Sequence, residues 1–357
     1  MMRNRLRWLP AIAVPALIGA GVVAASASGD IQLPERTPAE VFVMMAEHPD
    51  ASFSGTVEQI SELGLPELPT DGPDAVPEAA DVLEWLSGSH SVRVFVDGPQ
   101  KARLQVLDRL AERDVVVNGN SVWLYDSREK TAHHAVLPAD GECEHEAGAM
   151  KFQPAWLAEQ LLGKLDANTE VSLGTNLNVA GRAAYDLVLT PKTPDTLIGS
   201  VSVAVDGETG MPLSVRVLAR GQDDPAISVA FTELSLEAPE AKLFEFTPPE
   251  GTDVTEHPVP SDWPEKSDLP MHGDKPELTD PADPIIGGSD WTTVVEFPAG
   301  SAPAELFDSP LYAQLTTAVD GGRLVSTSLL NILITDDGRV VAGAVPVHLL
   351  QAAVTGQ

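Results

Sequence analysis

The histidines, the single cysteine and the glutamates between residues 133 and 146 are the residues whose types and spacing could perform chemistry. They are His133, His134, Glu142, Cys143, Glu144, His145 and Glu146. Imidazole, thiolate and carboxylate groups are the protein ligands that zinc takes. Their spacing matches no standard zinc pattern, however, and an acidic loop beside a strand explains the same composition. We therefore predict no metal site in this stretch.

Recognisable catalytic motifs are missing from the sequence as well. The chain has no nucleophile elbow, no Gly-rich phosphate loop and no helical His-Glu-x-x-His pattern. The run Asp336-Asp337-Gly338 is better explained by a hairpin turn than by a calcium loop. The sequence thus predicts a protein that is not an enzyme and that uses no cofactor.

The charge of the chain excludes one class of partner. Its formal net charge is −31, because 22 basic residues stand against 53 acidic ones. A field of this sign repels phosphate backbones, so nucleic acid is not an expected partner. The hydrophobic content of 43% nevertheless allows a substantial core in a chain of 357 residues.

The first 28 residues predict an export signal. Three arginines precede an apolar run from Trp8 to Ala25, and small residues typical of a cleavage site follow. An uncleaved anchor is the alternative, since the run is just long enough to span a thin bilayer. Both interpretations place the bulk of the chain outside the cytoplasm. The lone Cys143 excludes an internal disulfide framework.

Alternating apolar residues predict a mainly antiparallel sheet. The alternation is clearest in residues 200–217, where valines at every second position point to one side. Similar runs begin at Phe53, Ser91 and Thr169, and Asn118-Gly119 is a strong hairpin signal between two of them. Many short strands with few helices indicate an α+β fold that is mostly antiparallel β, with about eleven strands. A sheet this wide must curl, which predicts a half-open trough.

One face of this trough is expected to be apolar and to form a lipid cavity. The candidate cavity residues are Val94, Val96, Leu104, Val106, Val122, Leu124, Leu187, Leu189, Val201, Val203, Val205, Leu213, Val215, Val217, Phe244 and Phe246. The two phenylalanines are expected on a short closing strand that Pro248 and Pro249 end. Such a trough has no polar group to dictate a reaction, so its expected guest is hydrophobic.

Helices and an insertion are expected to cover the trough. Thr37, Pro38 and Glu40 predict a capping box at the start of a helix with an apolar stripe. The lid candidates are Phe42, Met45, Leu63, Leu65, Leu68, Trp85, Leu157 and Leu161. An ordinary core-facing helix, and an insertion packed on the outside of the sheet, are the alternatives for these segments.

The part of the chain after the trough domain is expected to form a separate unit. We predict a signal at 1–28, a half-barrel domain at 29–252 and a Pro-rich acidic linker at 253–287. Residues 288–357 then predict a small α+β module. A C-terminal segment that packs back on the half-barrel is the alternative.

Five segments resemble, in order and spacing, the LolA-like lipoprotein carriers. They are ASFSGTVEQ (51–59), VNGNSVWLYD (117–126), AYDLVLTPK (184–192), VDGETGMPLSV (205–215) and LFEFTPPEGTDV (243–254). The likeness covers about Thr37 to Val254. It implies a half-open barrel of about eleven antiparallel strands with a helical lid, whose cavity accepts lipid or lipoprotein acyl chains.

The resemblance implies two possible functions. The related folds include the LppX and LprG lipid binders and the amino-terminal domain of RseB, which senses lipoproteins and holds an anti-sigma factor. A non-catalytic extracytoplasmic carrier is the first function, and an envelope sensor that binds a membrane-anchored protein is the alternative. One departure concerns an arginine that the carriers place before the proline opening the third strand. This chain has Asp97, Gly98 and Pro99 there, which argues against an energised handover.

Overall fold

The structure is a computed structural model that describes residues 33–47, 52–64, 88–107, 112–136, 168–257, 285–288, 290–300 and 310–355. The described residues form two β-sheets, three α-helices and two short 3-10 helices. The predicted signal, the lid candidates Leu65, Leu68, Trp85, Leu157 and Leu161, the acidic loop with Cys143 and most of the predicted linker lie outside them.

The larger sheet has thirteen strands among the described residues. They are β1 (Phe53–Ser61), β2 (Gly88–Val96), β3 (Lys101–Leu107), β4 (Glu112–Asn118), β5 (Ser121–Asp126), β6 (Thr131–Val136), β7 (Thr169–Leu173), β8 (Leu177–Val179), β9 (Arg182–Pro191), β10 (Ile198–Asp206), β11 (Pro212–Ala219), β12 (Pro225–Ser235) and β13 (Asp253–His257). Their order is β13-β6-β5-β4-β3-β2-β1-β12-β11-β10-β9-β7, with β8 also paired to β9. Among the described strands the sheet is open, because their order ends at β13 and β7 without pairing them.

The predicted curl of the sheet is confirmed. β8 is paired to β9, yet it contacts β12, which lies three strands further into the sheet. Val179 of β8 accordingly belongs to the same buried cluster as Val229 and Phe231 of β12, and the partly buried Leu177 packs against that cluster. Elements this far apart in a flat sheet would not touch, so the sheet must curve between them.

The local signals in the sequence placed most strands correctly. Asn118 pairs with Ser121 across the β4–β5 hairpin, and Gly119 has a φ of +61° that favours glycine. The three-residue β8 was missed, because a strand this short contains no full alternation to detect.

The end of the larger sheet differs from the prediction of a closing aromatic strand. Residues Ala241–Phe244 form a 3-10 helix instead, and pairing resumes only after the prolines, at β13. β13 is parallel to β6, whereas the other strand pairs of the described sheet are antiparallel. Residues 236–252 therefore carry the chain from β12 across the sheet to its far edge, and we call them the crossing segment. Asp253–His257, predicted as the start of a linker, belong to this sheet.

The first helix, α1 (Pro38–Ala46), has the predicted start. Thr37 Oγ1 accepts a hydrogen bond from Glu40 N (3.3 Å), and Glu40 Oε2 accepts one from Thr37 N (2.7 Å). This reciprocal capping box satisfies two backbone donors that the first turn leaves free. The apolar stripe of α1 is buried, as expected for an amphipathic helix.

The C-terminal residues form a smaller antiparallel sheet with two helices. Its strands are β14 (Ile285–Gly287), β15 (Val294–Phe297), β16 (Thr317–Val319), β17 (Gly322–Ser326), β18 (Asn331–Thr335) and β19 (Val340–Gly343), in the order β14-β15-β19-β18-β17-β16. The helices are α2 (Pro310–Leu315) and α3 (Val347–Thr355). Leu333, Val341 and Leu350 form a core between this sheet and α3, as the predicted α+β module requires.

The smaller sheet is in contact with the larger one. Leu197 N donates to Ala344 O (2.8 Å), and Ser328 N donates to Leu63 O (3.0 Å). Trp291 Nε1 donates to Thr169 Oγ1 (2.8 Å) at the β7 edge. The C-terminal unit thus has its own sheet and core and also packs back on the first.

Candidate functional site

One face of the larger sheet collects the apolar candidates on β9 to β11. In the register of the sheet, Leu187 pairs with Val203, and Val203 pairs with Val215. Val215 in turn pairs with Val229 of β12. Directly paired residues point to the same side of a sheet, so this row lies on one face. Leu189, Val201, Val205 and Val217 join it by alternation.

The same face continues through β1 to β5. Val57 of β1 pairs with Phe231 of β12 on one side and with Val92 of β2 on the other. Val94 pairs with Leu104 of β3. Leu104 pairs with Val115 of β4, and Val115 pairs with Leu124 of β5. Val96, Val106 and Val122 lie on this side by alternation. We call the whole surface the apolar face; it brings together every predicted cavity residue except Leu213, Phe244 and Phe246.

Leu213 is displaced by a β-bulge. The register between β10 and β11 shifts where Ala204 pairs with Ser214 while Val205 pairs with Pro212. Leu213 is the extra residue of this bulge. It is completely buried and packs in the same cluster as Phe231. It is therefore a core residue rather than a regular member of the face.

Helix α1 covers the apolar face over β9 to β11. Val41, Phe42 and Met45 of the helix form one buried cluster with side chains of β9 and β10, including Leu187 and Val203. The Tyr185 hydroxyl on the same face donates to Pro34 O (2.8 Å) and ties the segment before the helix to the sheet. Phe42 and Met45, two of the lid candidates, are buried against the apolar face and fill this half of it with the protein's own side chains.

The other half of the apolar face lies on β2 to β5, and we call it the β2–β5 half. Val94, Leu104 and Val106 are buried, with exposed fractions of 6%, 4% and 5%. Val96, Val122 and Leu124 are only half-buried. The β2–β5 half therefore offers a partly exposed apolar surface next to a buried one.

Several residues of the apolar face were missed in the sequence. They are Phe53, Val57, Val92, Tyr185, Val229 and Phe231. The rings of Phe53 and Phe231 pack edge to face with their centroids 5.9 Å apart. The alternation that identified their neighbours would have found them too, since each occupies the same side of its strand.

The opposite face of the larger sheet holds ion pairs, and we call it the polar face. Arg103 of β3 is bound to Asp114 of β4, and Arg216 NH2 lies 3.1 Å from Asp186 Oδ1. Burial raises the pKa of Asp114, because desolvation outweighs the attraction of Arg103. The apolar face also carries an ion pair, because Arg113, which pairs with Val106 and with Asp126, lies on it with its Nε 3.5 Å from Asp126 Oδ2. Acyl chains would be excluded from the ion pairs of either face by the cost of burying charges.

Phe244 and Phe246 lie on the polar face, across the sheet from the other cavity candidates. The Phe246 ring packs on Trp123 and Tyr125, at centroid distances of 5.3 and 5.6 Å. Trp123 and Tyr125 alternate with Val122 and Leu124 along β5, so their side chains point to the polar face. Phe244 is buried beneath Lys101, whose Nζ lies 6.0 Å from the ring centroid. The two phenylalanines thus anchor the crossing segment.

The lid candidate Leu63 also has a different position from the one predicted. It is buried in a cluster with Leu329 of the C-terminal unit and with Ala219 and Ala226. Leu63 therefore contributes to the contact between the two sheets.

The turn between β2 and β3, where the chain departs from the LolA-like pattern, is held by an acidic residue. Asp97 accepts hydrogen bonds from Lys101 Nζ (2.9 Å) and Ser52 Oγ (2.8 Å). These hydrogen bonds hold the pKa of Asp97 below its usual value, and the bond from Lys101 has the larger effect. The carboxylate at this position thus closes the turn.

The edge of the larger sheet carries a cluster of histidines. His133 Nδ1 of β6 lies 2.9 Å from His257 Nε2 of β13, and next to this pair His134 Nδ1 lies 2.8 Å from Glu256 Oε2. Ser121 Oγ lies 3.0 Å from His134 Nε2. Glu256, His134 and Ser121 are thus hydrogen-bonded in the same order as the carboxylate, histidine and serine of serine hydrolases. Glu256 is 67% exposed, however, and so hydrated a carboxylate is a poor partner for catalysis.

The described part of the chain contains neither a metal-binding cluster nor a membrane-spanning helix. No three or more His, Cys, Asp or Glu residues there are grouped so that they could hold a metal ion. No helix within the same ranges is long and apolar enough to cross a membrane.

No protein-family model matches the chain, and no curated protein sequence matches it significantly. Among solved structures, it is similar to the MucA/MucB complex of Pseudomonas aeruginosa at 17% identity and a TM-score of 0.43, covering 88% of this chain and 95% of that one. A conserved protein of Thermus thermophilus matches at 9% identity and a TM-score of 0.35, over 61% of this chain and 98% of that one. A LolA superfamily protein of Nitrosomonas europaea matches at 11% identity and a TM-score of 0.25, over 59% of this chain and 99% of that one.

Proposed function

We propose that this chain is a non-catalytic, exported carrier that binds an acyl chain of a lipid or lipoprotein on the β2–β5 half of the apolar face. One observation carries the proposal: apolar residues of four adjacent strands share one face, while the ion pair of Arg103 and Asp114 lies on the other. The resemblance of five sequence segments to LolA-like carriers supports the same function.

The location of the guest follows from where surface can still be buried. Helix α1 already occupies the face over β9 to β11, so little is gained there. The half-buried Val96, Val122 and Leu124 can lose further exposed area to a guest. Since burial of apolar area drives binding, the acyl chain should lie along these side chains.

The energy of such a contact suits a carrier. At about 0.8 kcal/mol per buried methylene, a sixteen-carbon chain represents about 12 kcal/mol before the cost of immobilisation. A guest that covers only the part-exposed side chains gains a fraction of this amount. Binding would therefore be firm enough for transport and weak enough for release.

A regulator of the RseB type is the alternative. It would use a bound acyl chain as a signal and a membrane-anchored protein as its partner. The observation that favours it is the C-terminal unit, which packs on the larger sheet through Leu63, Thr169 and Leu197. Contacts of this kind would let a guest on one sheet influence a surface on the other.

Two residues of one strand provide a matched test. Leu124 lies on the apolar face, and its neighbour Tyr125 lies on the polar face. Both are half-buried, so Tyr125→Gln is the control for Leu124→Gln, the same substitution on the opposite face of the strand. Fluorescent C16 fatty acid is titrated into the exported protein, and co-purified lipid is measured by native mass spectrometry.

Leu124→Gln is expected to weaken fatty acid binding about tenfold, because a polar amide meets the hydrocarbon, whereas Tyr125→Gln should change it little. Equal affinities for the two variants, or no lipid bound to the unchanged protein, would contradict the carrier function. A membrane protein captured in stoichiometric amounts would support the regulator instead.

A further inference from the structure

The strand that ends the larger sheet is held by side chains that respond to acid. β13 is five residues long, is the parallel strand at the sheet edge, and is largely exposed. Besides its backbone pairing to β6, it is attached by His257 to His133 and by Glu256 to His134. A short edge strand has few other contacts, so these two pairs matter for its stability.

Protonation has different effects on the His133–His257 pair and on the His134–Glu256 pair. A hydrogen bond between Nδ1 of His133 and Nε2 of His257 requires that one nitrogen donates and the other accepts. When both rings are fully protonated, neither nitrogen can accept, and two positive charges face each other across 2.9 Å. The first proton is compatible with this contact, but the second is not.

The neighbouring pair responds in the opposite direction. A protonated His134 can donate Nδ1–H to Glu256 and Nε2–H to Ser121, so both contacts survive and the first gains charge assistance. The stacked Trp123 ring, 4.0 Å away, is also compatible with a cation. This pair weakens only when Glu256 itself is protonated.

The other charged groups on the strands around the pair are acidic or already neutralised. Asp126 of β5 is bound to Arg113 of β4, with Nε 3.5 Å from Oδ2. Asp253 and Glu256 are the carboxylates of β13 itself. The pair is thus surrounded, on its own strands, by carboxylates and by one arginine that is already paired.

We infer that the His133–His257 contact is a pH-sensitive clasp that holds the C-terminal end of β13 on the sheet. Histidine side chains commonly titrate between about pH 5 and 8, within the range that an extracytoplasmic protein meets. In acid the end of β13 at His257 separates from β6, while Glu256 remains attached through His134. The chain then leaves the larger sheet earlier on its way to the C-terminal unit.

Hydrogen exchange of the full-length protein tests this inference. Amide protection is measured at pH 7.5 and pH 5 for peptides that cover β13, with correction for the intrinsic pH dependence of exchange. Protection of β13 should fall about tenfold in acid, the equivalent of one lost hydrogen bond, while peptides from β9 and β10 change little.

Three variants assign the effect to the proposed contact. His257→Phe keeps a ring but cannot be protonated, so β13 should show equal protection at both pH values. His348→Phe, in the exposed part of α3, is the matched control and should retain the pH dependence. Glu256→Gln keeps an oxygen that can accept from His134, so it should change protection little at pH 7.5 and retain the pH dependence.

The inference is overturned if the unchanged protein shows no loss of protection in acid, or if His257→Phe still shows it. It is also overturned if Glu256→Gln abolishes the pH dependence, because the His134 pair would then be responsible. Unchanged protection of β9 and β10 in every variant verifies that the larger sheet is folded.

Discussion

The carbonyl oxygen of Met44 lies against Gly210 so closely that a Cβ atom at Gly210 would be 2.2 Å from it. Gly210 ends the turn between β10 and β11, and Met44 belongs to the last turn of α1. A Cβ atom at Gly207 of the same turn would likewise lie 2.5 Å from Leu33 Cδ2. The helix that covers the apolar face thus depends on small residues in the turn beneath it.

Replacement of Gly210 by alanine should destabilise the protein by more than backbone strain alone. Gly210 has a φ of +76°, which costs an alanine about 1 kcal/mol, and the contact with Met44 adds a steric cost. We expect a total loss of about 2 to 4 kcal/mol in the free energy of unfolding. Gly221→Ala is the control, because its φ is +80° and no atom of the described residues lies within 4 Å of the added Cβ. Equal losses in urea denaturation would contradict the steric contribution.

The capping box of α1 should contribute measurably to the covering of the apolar face. Thr37→Ala removes the acceptor for Glu40 N and should lower the free energy of unfolding by about 1 kcal/mol. Thr37→Ser keeps a hydroxyl and should lose much less. Urea denaturation of both variants checks this, and an alanine variant as stable as the serine variant would show that the cap is not needed.

The stability that Asp206 provides should disappear in acid. Burial raises the pKa of Asp206, but hydrogen bonds from Arg182 and Thr209 outweigh it and hold that pKa below its usual value. A lowered pKa stabilises the fold above the unfolded value of about 3.9, and this stabilisation is lost as pH falls through the folded pKa.

Asp206→Asn should therefore cost about 1 to 3 kcal/mol at pH 7 and progressively less below about pH 4. Chemical denaturation across this pH range provides the measurement. Glu208→Gln is the control, since Glu208 contacts the same arginine but is 82% exposed and should contribute little at any pH. A penalty for Asp206→Asn that stays constant down to pH 2 would contradict the role of its charge.

Phe246 should matter for stability and not for binding of a guest. Phe246→Ala removes the ring that packs on Trp123 and Tyr125, and it should cost about 1 to 2 kcal/mol because the side chain is half-buried. Phe297→Ala, at an exposed ring in β15, should cost less. Fatty acid affinity should be unchanged for both. A large loss of affinity in Phe246→Ala would place the guest on the polar face.

Much of the fold could be predicted because it is encoded in neighbouring residues. The cap at Thr37 and the hairpin at Asn118-Gly119 depend on a few consecutive residues, and both have the expected geometry. The alternation of Val201, Val203 and Val205 likewise selects one side of a strand. The period-two alternation of side chains is the same in every strand, whatever the strand packs against.

The closing phenylalanines show where such reasoning stops. Phe244 and Phe246 have the spacing of a strand, yet the crossing segment places both on the polar face, Phe244 buried near Lys101 and Phe246 against Trp123 and Tyr125. Alternation states that two residues share a side, but not which face of a distant strand they meet. The packing of an aromatic ring on partners more than a hundred positions away decided this outcome.

The sequence by itself determined most of the strands, the first helix, the acidic charge and the apolar character of much of one side of the sheet. Tertiary structure alone decided that α1 occupies β9 to β11, that β13 joins β6 in parallel, and that His133 meets His257. The physical reason is that strands, turns and helix caps depend on the backbone conformations of a few consecutive residues. Contacts between distant segments depend on how the sheet curls and on which surfaces remain to be covered.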